Sequence, residues 1–134
     1  MKLVRNFSSI IVVCFILAGC TSNAEISIDP MTGMDKSFCL ELKPDMEKAN
    51  SDFWTLSKST SMDTFIQSMI EVSRDANSIA IVSVQPAEFW LTAVSVNAIN
   101  LVRYFSGEGV GEGELLELAS RWKATYLQLP KYCS

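Results

Sequence analysis

The chain has 134 residues, 49% of them hydrophobic and 19% charged, with a formal net charge of −4. That length bounds one domain with a modest core, and an acidic balance without a basic stripe makes a poor partner for nucleic acid or for an anionic membrane surface. Histidine is absent, which removes the commonest general base and metal ligand and every Ser-His-Asp or Cys-His device.

The chain opens MKLVRNFSSIIVVCFILAGC. Lys2 and Arg5 form a positive start, and Ile10 to Ala18 is an unbroken apolar run of secretory length. A membrane-spanning helix needs roughly 20 apolar residues, so the run is too short to cross. It ends Leu17-Ala18-Gly19-Cys20, which resembles the lipobox of bacterial lipoproteins. The resemblance implies cleavage after Gly19, a diacylglyceryl thioether with palmitate-type chains on Cys20, and acylation of the new amine. It places the protein in the cell envelope, on the outer face of the cytoplasmic membrane or on the outer membrane. Thr21 in place of an aspartate is compatible with outer-membrane sorting. The alternative is an ordinary signal peptide cut after Ala24, which leaves a soluble secreted protein starting at Glu25.

Removal of residues 1–19 takes Lys2 and Arg5 away, so 11 basic and 15 acidic residues become 9 and 15, a net of −6. Of the four cysteines, Cys14 leaves with the signal and Cys20 is the lipid site. Cys39 and Cys133 remain, and two thiols in an exported chain pair. They bracket the domain, and two cysteines without histidine make a poor metal site.

Residues 20–36 read as a lipidated N-terminus and flexible tether, polar and interrupted by Pro30 and Gly33. The helical domain is expected over 37–134. Ser37 to Lys43 is a short turn, and Pro44 predicts a fresh helix start, since proline suits a first turn and disfavours helix before it. Helix one runs to about Ser57 on Met46, Ala49, Phe53 and Leu56. Ser61 is the predicted N-cap of helix two, Met62 to Ile81, whose apolar face repeats at Phe65, Met69, Val72 and Ala76. Residues 80–84 are β-like, but with no partner strand they read as a frayed helix end.

Helix three is expected from Pro86 to Phe105. It is apolar on almost every face, the mark of a helix packed at the centre. Residues 107–114, GEGVGEGE, form an acidic connector. Their glutamates oppose phosphate binding. Glu108, Glu112 and Glu114 offer oxygen to calcium, but not at EF-hand spacing. Helix four follows from Glu112 to Leu129 on Leu115, Leu118, Trp122 and Tyr126, and Pro130 stops it. The fold class is therefore all-α: about four antiparallel helices, whose even number brings Cys39 and Cys133 to the same end.

No catalytic residue, metal ligand or cofactor is indicated. Glu41, Asp45 and Asp52 fall on a solvated face. Trp54, Trp90 and Trp122 are core or rim residues, with an aromatic partner-binding patch as the sharper alternative. Asn97 and Asn100 in helix three either hydrogen-bond across the bundle or line a groove. The functional expectation is a non-catalytic accessory, binding or scaffold protein held at the membrane through Cys20. Pilotins, the small helical lipoproteins that escort outer-membrane secretins, are similar in size, anchor and helical character. That resemblance of architecture implies a groove beside helix three, near Trp90 and Asn97, for a partner helix of an envelope protein.

Overall fold

The computed structural model describes residues 26–108 and 112–134, with side chains in the last long helix from Glu114 onward. The signal segment, the lipobox and Cys20 lie outside the described residues. The described chain is all-helical, with α1 Cys39–Trp54, α2 Met62–Ile81, α3 Ala87–Arg103, α4 Glu112–Tyr126 and a single turn α5 Leu129–Tyr132. Among the described residues there is no strand.

Each long helix forms because its apolar residues recur on one stripe that must leave water. In α1 the stripe is Leu42, Met46 and Ala49. In α2 it is Phe65, Met69, Val72, Ala76 and Ile79, and Ser61 caps the start by accepting the Thr64 amide at 3.1 Å. In α3 it is Trp90, Leu91, Val94, Ala98 and Leu101, and in α4 Leu118 and Trp122. Successive helices pack side by side, α1 on α2, α2 on α3 and α3 on α4. A disulfide between Cys39 and Cys133, 94 residues apart with Cα atoms 5.5 Å apart, joins the start of α1 to the chain's end.

Four features depart from expectation. Helix one begins at Cys39, not Pro44, and carries Pro44 inside it. Proline forfeits a single amide bond there, and buried Leu42 holds the first turn in place. The chain breaks at Leu127–Gln128 before Pro130, which then sits in the first turn of α5, where its missing N–H is harmless. Helix three is not wrapped all round, since Phe89 and Val96 face solvent. A helix flanked by α2 and α4 keeps one free face.

The fourth departure is the tether, which packs from Asp29 on. Met34 is fully buried, Gly33 O accepts the Val84 amide at 2.7 Å, and Thr32 O accepts the Ala87 amide at 2.8 Å. Gly33 has φ +91°, and a Cβ there would overlap the Val84 and Gln85 carbonyl oxygens. Both constraints favour glycine. Gly33→Ala is expected to cost about 1–3 kcal/mol by combining backbone strain with a steric clash. The measurement is the urea midpoint; a midpoint equal to the parent's would mean this segment contributes nothing to stability.

Candidate functional site

The residues expected to share a groove sit in three settings. Trp90 is buried, donates from Nε1 to Thr125 O at 3.0 Å, and stacks on Tyr132 with ring centroids 4.4 Å apart. One edge of it floors a shallow cavity of about 250 Å³ beside Pro86, Phe89 and Gln128. Asn97 ties α3 to α4, donating from Nδ2 to Arg121 O at 3.2 Å and to Thr125 Oγ1 at 2.6 Å. That is the cross-bundle hydrogen bond the sequence offered as one of its two readings. Asn100 lines a different, polar cavity of about 240 Å³ with Arg103, Tyr104, Glu117 and Arg121. Both arginines there are engaged, Arg103 with Glu108 at 2.8 Å and Arg121 with Glu117. Of the calcium candidates, Glu108 is thus already held by Arg103, and the side chain of Glu112 lies outside the described residues.

A site the sequence did not announce lies along the seam between α1 and α4. Lys43, Glu47, Asn50 and Trp54 line it at helical spacing from α1, facing Lys123, Tyr126, Leu127 and Pro130. Two open cavities follow the seam, of about 230 and 370 Å³. At its centre Asn50 Oδ1 accepts two indole N–H groups, from Trp122 and from Trp54, each at 3.0 Å. Trp122 is fully buried, whereas Trp54 is half exposed and forms the rim. Tyr126 has its pKa raised, first by burial and then by the charge of Glu47. The sequence pointed to Trp54 and Trp122 as rim or core residues or as an aromatic patch, but not to Asn50, which joins them.

The carboxylates expected on a solvated face divide. Asp52 is partly covered; burial opposes its ionisation, but hydrogen bonds from Lys48 at 2.9 Å and Ser68 at 2.5 Å, with the Lys48 charge, lower its pKa overall. Asp75 of α2 is pushed up to about 7, first by burial, then by hydrogen bonding with the neighbouring Asp45 of α1 in its protonated form and by the charges of Asp45, Glu41 and Glu71. Asp45 thus departs from the expected solvated face, because α1 and α2 bring like charges together. Between the ordinary aspartate value and about 7, the folded chain holds a proton that the unfolded chain lacks. Stability therefore falls as pH rises through that window, by about 1 kcal/mol once solvent screening of a partly exposed group is allowed for. Asp75→Asn is expected to flatten the dependence. Denaturation midpoints at pH 5 and pH 8 check it, and an equal slope in parent and variant would reject the pair as its source.

Among the described residues no group of three or more acidic, cysteine or histidine side chains is placed to hold a metal ion. Comparison with protein-family models, curated proteins and solved structures finds no match for this chain.

Proposed function

We propose that the protein is a non-catalytic binding protein of the bacterial cell envelope, exported by residues 1–19 and anchored through a lipid on Cys20. The observation that carries this reading is the Cys39–Cys133 disulfide closing the folded domain. Such a bond persists in oxidising compartments outside the cytoplasm, and the export-and-lipobox signal upstream leads there. The lack of histidine in the whole chain favours binding over acid–base catalysis.

Intact mass of the protein extracted from host membranes in mild detergent tests the reading. The expected species starts at Cys20, carries acyl mass and lacks two hydrogens for the bridge. A start at Glu25 without lipid would replace it with a soluble secreted protein.

The α1–α4 seam favours a second, compatible role as a pilotin-like carrier. It is long, open and rimmed by exposed Trp54 and Leu127, features suited to a partner's amphipathic helix. A photo-crosslinker in place of Leu127 is expected to capture one envelope polypeptide in cells. Capture of lipid alone counts against the carrier role.

A further inference from the structure

Four pieces of chain converge on one end of the bundle. The start of α1 and the C-terminal turn meet through the Cys39–Cys133 bond. The α2–α3 loop meets the N-terminal segment through the Val84–Gly33 and Ala87–Thr32 hydrogen bonds. The Trp90–Tyr132 stack joins the start of α3 to α5. The described chain also begins here, because the Ser27 amide is bound by Asp35 at 2.9 Å.

This end is unusually apolar on its outside. Twelve large apolar side chains are exposed among the described residues, and eight belong to this end: Ile26, Met31, Leu40, Ile81, Val82, Val84 and Phe89, with Leu127 just after α4. Met31, Leu40, Ile81 and Phe89 are each at least 74% exposed. The far end exposes fewer, Trp54, Met62 and Leu116. Its α1–α2 loop presents Ser57, Lys58, Ser59 and Ser61 to solvent. Apolar surface gathered in this way marks a contact with something other than water.

We propose that this end rests in the interfacial layer of the membrane that carries the anchor, with Met31, Val84 and Phe89 dipping among the lipid headgroups. The inference builds on the lipid-anchor reading above. Six residue steps separate Cys20 from Ile26, a reach of at most ~20 Å. A lipid on Cys20 therefore holds the bilayer beside this end, not the far one. The apolar side chains leave water at a surface already within reach. A fatty-acyl anchor and a shallow apolar contact are additive signals for membrane attachment. No described helix is long and apolar enough to cross a membrane, so the contact is one of lying on the surface. The α1–α4 seam then runs away from the membrane, open to a partner along its length.

Photo-crosslinking in the full chain, in host membranes, tests this. Met31→p-benzoylphenylalanine and Phe89→p-benzoylphenylalanine report on the apolar end. Met62→p-benzoylphenylalanine and Leu116→p-benzoylphenylalanine report on the far end and flank. All four positions are exposed, at 82%, 74%, 40% and 74%, so the bulkier ring leaves the core intact. Intact mass is read on the same samples. The expected result is acyl mass on Cys20 with phospholipid adducts at 31 and 89 about tenfold above those at 62 and 116. Acyl mass with equal lipid adducts at all four positions overturns the orientation and leaves the anchor standing. Acyl mass with a polypeptide adduct at 31 and 89 overturns it in favour of a protein-binding end. Absence of acyl mass removes the anchor, and the orientation falls with it.

Discussion

Replacing Cys39 with serine is expected to lower the melting temperature by about 10–25 °C, corresponding to a loss of about 2–5 kcal/mol. The bond closes a loop of 94 residues, for which the chain-entropy model gives about 4.7 kcal/mol. A domain of this size has ~5–15 kcal/mol in total, so this is a large share. The position of the bond magnifies its role. The long helices pack in chain order, which leaves α1 and α4 as the two ends of the array. The disulfide fastens the start of one to the segment that follows the other. Calorimetry of parent and Cys39→Ser, each with and without dithiothreitol, checks the claim. The parent should fall to the variant's melting temperature on reduction, and the variant should not move. A variant that melts with the oxidised parent would show that the bond does not form in the native protein.

Trp122→Ala is expected to cost about 3–5 kcal/mol, because deleting a buried indole loses its transfer energy and leaves a cavity. Trp122 is fully buried, and its ring also lies against Tyr126 with centroids 6.3 Å apart. The hydrogen bond to Asn50 is tested separately by Asn50→Leu. That change strips the acceptor from two indole N–H groups. Trp54 is half exposed and regains a partner from water, whereas Trp122 is buried and does not. The expected cost of Asn50→Leu is about 1–3 kcal/mol, the penalty of one unsatisfied buried donor. In the double variant Asn50→Leu with Trp122→Phe, the orphaned donor is gone and part of that loss should return. Urea midpoints of the single and double variants measure this. Additive losses would mean that Asn50 and Trp122 are not energetically coupled. Because Asn50 also lines the seam, the same variants show whether the opening keeps its shape when α1 and α4 lose their central link.

The extent to which the chain was legible follows from what is local and what is not. The helices of Phe65, Met69, Val72 and Ala76, and of Leu118 and Trp122, could be read directly, because helical geometry places every third or fourth residue on one face. Ser61 was legible as a cap because its hydroxyl acts on an amide three residues away. The pairing of Cys39 with Cys133 is legible because these two cysteines bracket the helical domain and an even number of antiparallel helices returns the chain to its starting end. An asparagine in an apolar helix needs a hydrogen-bond partner, so the cross-bundle bond of Asn97 is legible in kind, while its partner Thr125 is set by the packing of α3 on α4.

The remainder waited on the fold. Met34 looks like part of a polar tether until Gly33 docks it against the α2–α3 loop. Pro44 and Pro130 carry the same local rule, yet one is absorbed within a helix and the other starts a turn. Asn50 between two tryptophans, Asp45 against Asp75, and the gathering of exposed apolar residues at the disulfide end all join residues far apart in the chain. The sequence by itself determined which face of the amphipathic helices α1, α2 and α4 turns inward, since that is set by a repeat of 3.6 residues within one segment; for α3, apolar nearly all round, only its neighbours α2 and α4 decided which face stays free. The tertiary structure decided which polar atoms meet and which end is apolar, because those depend on the register and order in which separate helices pack.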